Sequence, residues 1–394
     1  MFKVLTLNNI STHGLDRLPR KDYEVASDMS QPDAILLRSA DMHSRDLPSS
    51  LLAVGRAGAG TNNIPVAKLA QLGIPVFNAP GANANAVKEL VLAGMFMAAR
   101  NIPQAYSYVR GLEGSDEEVE KQVEAGKKTY AGFELPGKTL GVIGLGAIGI
   151  RVANAAQALG MRVLGYDPSI TVKNAWQLNA GVEQAVSVDD LFSRSDFLTV
   201  HVPLVDGTRN LVNAERIKLM RKGGVVLNFA RGGVVDEAAV LAALDSGKLG
   251  AFVTDFPTNQ GRHHPKVIAL PHLGASTAEA EDNCAVMVAD QVRDYLETGT
   301  IRNAVNFPEA ELPFAEGVWR LAIANANKPN MVGQMSSLLG EHGLNIHDLL
   351  NKSRGELAYT LVDVDSEPAP DVLEAIRAVD GVLKVRLIPA RETA

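Results

Sequence analysis

The sequence lacks the features that several classes of protein require. It has one cysteine, Cys284, which excludes an internal disulfide and a cysteine metal cluster. The net charge is −7, so the chain does not look built to neutralise the phosphates of a nucleic acid. No apolar run approaches the roughly 18 residues of a membrane span, and the N-terminal MFKVLTLNNI does not resemble a signal peptide. We therefore expect a cytoplasmic protein that partners neither nucleic acid nor membrane.

The composition is that of a globular chain, with 46% hydrophobic and 21% charged residues among 394, enough for two or three domains. In the first hundred residues, short apolar runs alternate with helical stretches, which indicates parallel βαβ units. The predicted strands are Phe2–Leu7, Ala34–Leu37, Leu51–Val54 and Pro75–Phe77, with a helix over Val66–Leu72. A long helix is predicted over Ala86–Arg100 and is expected to continue through Asn101–Gly114.

A second alternating region follows residues 115–137, which are polar and charged as expected at a domain crossing. It predicts a doubly wound sheet of six or seven strands. Its predicted strands are Thr139–Ile143, Arg162–Tyr166, Phe197–His201, Val225–Asn228, Phe252–Thr254 and Val267–Leu270. A long helix over Ser276–Glu297, with Thr277 as a candidate cap, would lead back to the first domain, and Ile301–Glu316 is interpreted as a linker.

Residues 318–394 form a separate unit in which strands and helices follow the order βαββαβ, typical of a ferredoxin-like module. The predicted elements are the strand Arg320–Ala324, the helix Met331–His342, the strands Asn345–Ser353 and Ala358–Val364, the helix Asp371–Val379 and the strand Val382–Leu387.

A glycine-rich loop joins the first strand of the second region to a helix. Gly144, Gly146 and Gly149 form a G-x-G-x-x-G run that follows an apolar strand and opens a helix, which is the context that a dinucleotide-binding loop requires. The three glycines permit a tight turn, a close approach of the pyrophosphate, and close packing of helix on strand. The helix N-terminus, where Ala147 and Ile148 lie, favours phosphate.

An acidic residue, Asp167, ends the next strand. A carboxylate there can accept hydrogen bonds from both ribose hydroxyls and would repel a 2′-phosphate, which favours NAD over NADP. The alternative is that Asp167 is only a turn residue at a strand end.

Arginine and histidine side chains stand at further strand ends, where such sheets place their ligands. Arg231 follows an apolar strand beside two glycines and could hold an anion. His272 follows another strand and could take a proton near neutral pH, and His201 competes with it for that role. The pair His263 and His264 lacks carboxylate or cysteine partners at ligand spacing, so we expect no metal site.

Together these segments resemble the D-isomer-specific 2-hydroxy acid dehydrogenase family, in which the glycine-rich loop, Asn-x-Ala/Ser-Arg-Gly and Pro-His-x-Gly motifs recur in this order. The resemblance covers the whole chain. It implies an NAD-dependent enzyme with His272 as general base and Arg231 as the substrate-binding cation. It also implies a set of residues lining the cofactor, namely His201, Val202, Pro203, Thr208, Ala230 and Gly274.

Within that family the chain is most similar to the branch that oxidises D-3-phosphoglycerate to 3-phosphohydroxypyruvate, the first step of serine biosynthesis. Arg38 and Ser39 match a segment that can reach the phosphate. Asn83 closes a stretch similar to a substrate loop of that branch, and the backbone at Ala57 and Gly58 matches the segment that binds the carboxylate through an anion nest.

The chain departs from the family pattern in the segment Val253-Thr-Asp-Phe-Pro-Thr-Asn-Gln260. Relatives have Asp-Val-Phe, then a Glu that pairs with the histidine. Aligned without gaps, the Glu position is Asn259 and the family Asp falls at Thr254. Asp255 stands one residue later, on the other face of a regular strand unless a bulge restores its direction. We assign Asp255 to the nicotinamide amide or to the histidine. We assign no glutamate of this chain to the catalytic role that the Glu has in relatives.

The resemblance implies that the chain has three domains. Residues 1–97 with 286–305 would be a flavodoxin-like substrate-binding domain, 98–285 a Rossmann NAD-binding domain, and 318–394 a ferredoxin-like ACT regulatory domain. Asn327 and Asn345 match positions that bind L-serine in relatives that serine inhibits, whereas the alternative is that the module only dimerises. A homodimer or homotetramer is expected.

Two other functions remain open. One is another D-2-hydroxy acid dehydrogenase, such as a glycerate or hydroxypyruvate reductase, against which Arg38, Ser39 and the ACT-like tail argue. The other is an NAD-sensing corepressor without enzymatic activity, against which the tail and the acidic charge argue.

Overall fold

The computed structural model describes residues 1–390, which fall into two compact units. The first unit joins Met1–Ala82 to the described part of Glu281–Ala394, and the second is Asn83–Ala280. Each unit encloses hydrophobic clusters of its own. None of the helices in the described part of the chain is long and apolar enough to cross a membrane.

A five-stranded parallel sheet forms the N-terminal part of the first unit. Its elements are β1 (Phe2–Thr6), α1 (Thr12–Leu15), β2 (Tyr23–Ala26), β3 (Ala34–Leu37), β4 (Ala53–Arg56), α2 (Val66–Gln71) and β5 (Val76–Phe77). The strand order is β2-β1-β3-β4-β5, and every pair is parallel. The central strand β3 is wholly buried, in keeping with its continuous apolar run. The sequence pattern does not predict the edge strand β2, whose four residues include the exposed Glu24.

The second unit contains a seven-stranded parallel sheet. Its elements are α3 (Ala84–Ala99), α4 (Ile102–Arg110), α5 (Asp116–Gly126), β6 (Thr139–Ile143), α6 (Ala147–Ala158), β7 (Arg162–Tyr166), α7 (Val172–Ala175), β8 (Val182–Gln184), α8 (Val188–Arg194), β9 (Phe197–Val200), α9 (Ala214–Leu219), β10 (Gly224–Asn228), α10 (Glu237–Asp245), β11 (Leu249–Thr254) and β12 (Val267–Ala269). The strand order is β12-β11-β10-β9-β6-β7-β8. The order reverses between β6 and β9, and sheets of this kind bind ligands at the carboxyl ends of the strands at such a point.

The helices before this sheet differ from the prediction in two ways. The chain does not continue α3 into the next helix, because Asn101 has φ of 50° and starts α4 as a separate helix. The segment expected to be a plain domain crossing contains α5, which Ser115 and Glu118 start with a reciprocal capping box. This helix has no fully buried residue, and its apolar stripe consists only of Val119 and Val123, so its sequence looks like that of a polar crossing.

The compact units divide at different residues from the predicted domains. The predicted boundaries at 97/98 and 285/286 lie inside α3 and inside α11 (Ala278–Thr298). The units divide before Asn83, just ahead of α3, and before Glu281, which is also inside α11. Helix α3 belongs wholly to the second unit because Val87 and its other buried side chains pack in one cluster with the strands of the seven-stranded sheet. The functional labels of the domains stay predictions.

The C-terminal module consists of β13 (Trp319–Ala326), α12 (Met331–Glu341), β14 (Ile346–Arg354), β15 (Leu357–Val364), α13 (Pro370–Arg377) and β16 (Val382–Ile388). Its sheet is antiparallel in the order β14-β15-β13-β16. The predicted βαββαβ order is confirmed. So is the fold class as a whole, with two parallel sheets followed by a small antiparallel one.

The module is attached to helix α11 by hydrogen bonds within the first unit. Arg386 donates to the carbonyl oxygens of Tyr295 and Leu296, at 3.1 and 2.8 Å, and Arg320 donates to that of Thr298 at 3.0 Å. These carbonyls belong to the last turn of α11, where helical donors run out. The module therefore caps the C-terminal end of this helix.

Candidate active site

The loop between β6 and α6 has the geometry that a pyrophosphate requires. Gly144 has φ of 90°, a left-handed conformation that suits glycine. A Cβ on Gly146 would meet nothing within 4 Å, whereas a Cβ on Gly149 would collide with the carbonyl oxygen of Gly144. Ala147 and Ile148 start α6, whose first-turn N–H groups have no helical partner and suit a phosphate. Each of the three predicted roles of the glycines therefore has a structural counterpart.

Asp167, just after β7, braces the same loop. Its Oδ2 accepts from the N–H of Leu145 at 2.8 Å, and its Oδ1 accepts from that of Ser169 at 2.9 Å. Each oxygen keeps capacity for a further hydrogen bond, because a carboxylate offers about four acceptor sites. The turn role and the predicted ribose role of Asp167 are thus compatible.

His201 follows β9, and one nitrogen of its ring, Nδ1, is buried. Its Nε2 is 3.0 Å from the hydroxyl of Thr199, and its buried Nδ1 has no hydrogen-bond partner in residues 1–390. Burial lowers the pKa of His201 to about 4. A base whose pKa is that low takes up a proton poorly near neutral pH, so His201 is a poor rival of His272 for the role of general base.

The segment after β9 lies against the glycine-rich loop. A Cβ on Gly144 would be 2.8 Å from the carbonyl oxygen of His201 and 2.9 Å from Val202 Cγ1. The hydroxyl of Thr208 donates to the carbonyl of Pro203 and accepts from the N–H of Val205, which ties the turn together. His201 and Val202 are therefore near the loop that would hold the pyrophosphate, and Thr208 is tied to the same segment.

Asn228, the last residue of β10, fixes the backbone around Arg231. Its side-chain oxygen accepts from the N–H of Ala230 at 3.1 Å, and its side-chain nitrogen donates to the carbonyl of Arg231 at 2.9 Å. Asn228 is 1% exposed, whereas Arg231 is exposed. The sequence motif around Arg231 includes this asparagine, but the motif alone does not reveal this role.

Asp255 follows the last residue of β11. The residue is 3% exposed, and both carboxylate oxygens are buried without a hydrogen-bond partner among the described residues. Burial raises the pKa of Asp255, and the charges of His272 and Arg231 act in the opposite direction. A Cβ on Gly274 would be 3.9 Å from its Oδ2, so the carboxylate points towards the loop that carries His272.

His272 presents an exposed ring on the loop after β12 and packs against Phe256, with ring centroids 4.7 Å apart. Arg231, Asp255 and His272 thus follow β10, β11 and β12, which are neighbours in the sheet. Since parallel strands end at one edge, the structure gathers an arginine, a carboxylate and a histidine there.

In the first unit, predicted substrate residues lie in the loop after β3. The side-chain oxygen of Asn8 accepts from the N–H groups of Arg38 and Ser39, at 3.0 and 3.1 Å. The guanidinium of Arg38 pairs with Glu281 at 2.6 Å. Arg56, which the sequence analysis did not single out, donates through Nε to the carbonyl of Arg38 at 3.1 Å. A second guanidinium therefore lies at this loop.

The backbone N–H groups of Ala57 and Gly58, which are predicted to form an anion nest, already donate hydrogen bonds within the chain. The N–H of Ala57 donates to Leu37 and that of Gly58 to Arg56, each at 2.8 Å. Asn83, also predicted to bind substrate, stands at the N-terminus of α3 in the second unit, without a side-chain capping bond.

Of the paired histidines 263 and 264, the second has a local side-chain partner. His264 Nε2 lies 3.1 Å from Asp245. Across residues 1–390, no group of three histidine, cysteine or acidic side chains could hold a metal ion.

The two predicted regulatory asparagines lie at opposite ends of the C-terminal sheet. Asn327 follows the end of β13, whereas Asn345 precedes β14. The first residue of β14, Ile346, pairs with Val364 of β15, which in turn pairs with Trp319 at the start of β13. Seven residues of strand, roughly 20 Å, separate these levels. Asn327 lines a cavity of about 470 Å³ with Gln71, Lys328 and Glu356, and Asn345 does not.

Comparisons with known proteins agree with this geometry. Residues 92–274 match the family described as D-isomer specific 2-hydroxyacid dehydrogenase, NAD binding domain. A D-3-phosphoglycerate dehydrogenase of Haemophilus influenzae is 35% identical over 350 residues, or 86% of this chain and 81% of that one. One of Methanocaldococcus jannaschii is 40% identical over 294 residues, or 72% of this chain and 54% of that one. The crystal structure of NAD⁺-bound 3-phosphoglycerate dehydrogenase of Entamoeba histolytica aligns with a TM-score of 0.59 at 25% identity, covering 77% of this chain and 98% of that one.

The chain therefore belongs to the D-isomer-specific 2-hydroxyacid dehydrogenases, and within them to the D-3-phosphoglycerate dehydrogenases. It is an oxidoreductase whose cofactor is NAD and whose substrate is a small molecule. The residues present fit that cofactor: Gly146 leaves the backbone open at the start of α6, and Asp167 retains acceptor capacity beside it.

Proposed function

We propose that this enzyme oxidises the C2 hydroxyl of D-3-phosphoglycerate to give 3-phosphohydroxypyruvate. The row of Arg231, Asp255 and His272 at the ends of three neighbouring strands carries the proposal. Oxidation of an alcohol requires a base for the hydroxyl proton and positive charge near the oxygen, and this row supplies both. NAD, when bound, accepts the hydride from C2.

In this proposal His272 takes the proton of the C2 hydroxyl. Its ring is exposed, so the proton can pass on to solvent. Arg231 holds the substrate carboxylate and the C2 oxygen, because a guanidinium can bind two oxygens side by side. Asn228 supports this role because its side chain donates a hydrogen bond to the carbonyl of Arg231 and so fixes the backbone there.

The phosphate is assigned to Arg38 and Ser39, with Arg56 as an additional cation at the same loop. A phosphate at Arg38 competes with Glu281, which pairs with that guanidinium. The backbone at Ala57 and Gly58 is assigned to the carboxylate, and binding there requires these N–H groups to be shared with their carbonyl partners. Asn83 is assigned to the substrate as well.

The cofactor contacts follow the sequence prediction. The pyrophosphate is assigned to the loop from Gly144 to Gly149 and the ribose to Asp167. The residues assigned to the rest of the cofactor are His201, Val202, Pro203, Thr208, Ala230, Asp255 and Gly274.

The test is NADH formation by the purified enzyme with D-3-phosphoglycerate, D-glycerate and other D-2-hydroxy acids. We expect kcat/KM to be highest for the phosphorylated substrate, and His272→Gln to abolish turnover while NAD still binds. His264→Gln is the matched control, since His264 already has Asp245 as a local partner. A preference for D-glycerate would favour the reductase alternative, and no turnover of any hydroxy acid would favour the sensor.

We infer that L-serine regulates the enzyme through the C-terminal module. The cavity beside Asn327 is bordered by Lys328 and Glu356, whose opposite charges suit the two ends of a free amino acid. Isothermal titration of wild type and Asn327→Ala with L-serine tests this. Equal binding by both, or none by wild type, would contradict it.

A homodimer is proposed from exposed apolar side chains on α3 and α4. Phe96, Ile102, Tyr106 and Val109 are each at least two-fifths exposed. The alternative contact is the free edge of β14, and both together would give a tetramer. Light scattering of wild type and Tyr106→Glu separates these assemblies.

A further inference from the structure

We propose that Asp255 is the positioning residue that holds His272, in place of the glutamate of other family members. This inference rests on the proposed function, because it assumes that His272 is the general base. It assigns a partner to a histidine whose partner the sequence leaves open, since Asn259 occupies the position of the family glutamate.

The direction of the Asp255 side chain is explained by where β11 ends. The strand stops at Thr254, so the alternation of a regular strand no longer applies at Asp255. The hydroxyl of Thr254 accepts from the N–H of Phe256 at 3.1 Å, which turns the chain at this point. As a result Phe256 packs on the His272 ring and the Asp255 carboxylate points towards the loop of residues 272–274.

The family glutamate position, Asn259, has a different role here. Its side chain is exposed, and its oxygen accepts from Arg262 Nε and Nη2 at 3.2 and 3.0 Å. It therefore belongs to a surface turn.

The burial of the Asp255 carboxylate without a partner is unfavourable for the stability of the fold. A buried carboxylate without hydrogen bonds costs free energy, so such groups are normally paired. Among residues 1–390 neither of its oxygens has a partner. An imidazole N–H from His272 would satisfy one of them and leave the other for the nicotinamide amide.

The charged groups around Asp255 come from the neighbouring strands. Arg231 follows β10 and His272 follows β12, and both act on its charge. On α10, Glu237 is engaged by the hydroxyl of Thr258 at 2.6 Å. Helix α3 contributes the apolar Val87, which lies against Gly274. Arg231 and the candidate base His272 thus follow the two strands on either side of this carboxylate.

The negative charge of Asp255 would affect how readily His272 accepts a proton. When His272 accepts the proton it becomes an imidazolium, and a carboxylate at its other ring nitrogen stabilises that state and fixes the tautomer. Removing the charge makes the base weaker. We expect Asp255→Asn to lower kcat by about 10- to 100-fold. We also expect it to move the acid limb of kcat/KM for 3-phosphoglycerate to lower pH by about one unit.

The experiment compares wild type, Asp255→Asn, Asp255→Glu and Asp245→Asn. Asp245→Asn is the matched control, because it removes a carboxylate from beside His264, an Asp–His pair not assigned to the reaction. We expect partial recovery of the pH profile in Asp255→Glu and a wild-type profile in Asp245→Asn. An unshifted acid limb in Asp255→Asn would overturn the proposal, and an effect confined to KM for NAD would assign Asp255 to the nicotinamide alone.

A second measurement does not depend on turnover. In a protein labelled on its histidine rings, the resonance that His272→Gln removes is titrated by NMR in wild type and in Asp255→Asn. A lower titration midpoint in the variant supports the pairing, and an equal midpoint contradicts it. Absence of turnover in wild type with a shifted midpoint would overturn the proposed substrate and keep the pairing.

Discussion

Asn228 donates its side-chain N–H to the backbone carbonyl of Arg231, at 2.9 Å, and through its oxygen also accepts from Ala230. We expect Asn228→Ala to leave the buried N–H of Ala230 unpaired, at a cost of about 1–3 kcal/mol. The carbonyl of Arg231 would keep only its hydrogen bond from the N–H of Val234, at 3.2 Å. The free energy of unfolding should fall, and kcat/KM should fall further because Arg231 loses its fixed position. Urea unfolding and initial rates check this. Asn228→Asp keeps the acceptor for Ala230 but sets a carboxylate oxygen against the carbonyl of Arg231, so its activity should fall as well. Wild-type rates in both variants would contradict this role of Asn228.

The second prediction separates two glycines of the same loop. Gly149→Ala places a Cβ against the carbonyl oxygen of Gly144, whereas Gly146→Ala places one in open space. We expect Gly149→Ala to lower the melting temperature, and Gly146→Ala to leave it unchanged while weakening NAD binding. Differential scanning fluorimetry and NAD titration measure the two effects. Normal NAD affinity in Gly146→Ala would show that the pyrophosphate does not lie at this glycine.

The third prediction concerns the choice of cofactor. Asp167→Ala removes the carboxylate that would repel a 2′-phosphate and the brace on the N–H of Leu145. KM for NAD should rise, and the ratio of kcat/KM for NADP to that for NAD should rise with it. Steady-state kinetics with both cofactors measure the ratio. If KM rises and the ratio stays fixed, Asp167 acts only as a brace.

The fourth prediction concerns stability against pH. Burial lowers the pKa of His201 to about 4, below its ordinary value of 6.5, so the unfolded chain binds more protons between these values. Stability should therefore fall as pH decreases from about 6.5 towards 4, with His201 contributing up to about 3 kcal/mol. Urea unfolding of His201→Gln should depend less on pH in this window. The exposed His347→Gln should follow wild type, and identical curves for all three proteins would contradict the prediction.

The fifth prediction tests the buried ion pair between Arg320 and Asp363. Both side chains are fully buried, and Arg320 Nε lies 2.6 Å from Asp363 Oδ1. We expect Asp363→Ala to cost about 3–5 kcal/mol, because it leaves an uncompensated charge inside the first unit. Thermal unfolding checks this against Asp380→Ala, which removes an exposed ion pair with Lys328 and should leave the melting temperature unchanged. Equal effects of the two variants would show that burial does not matter here.

Much of the fold and part of the candidate site could be predicted from local sequence. The strands β3, β6 and β7 have the predicted bounds because each is a continuous apolar run between turn residues. Three of the elements not predicted have no such run. The strands β2 and β8 are short and lie at the edges of their sheets, and α5 is mostly charged.

The sequence by itself determined the class of fold, the NAD loop and the branch of the family, because these depend on residues close together in the chain. Only the tertiary structure decided which side chains meet. It buried Nδ1 of His201 and left His272 exposed, and it turned the carboxylate of Asp255 towards the loop of residues 272–274 where the strand ends. It also attached the C-terminal module to α11 through Arg386 and Arg320. Burial and pairing depend on residues distant in sequence, so no local pattern specifies them.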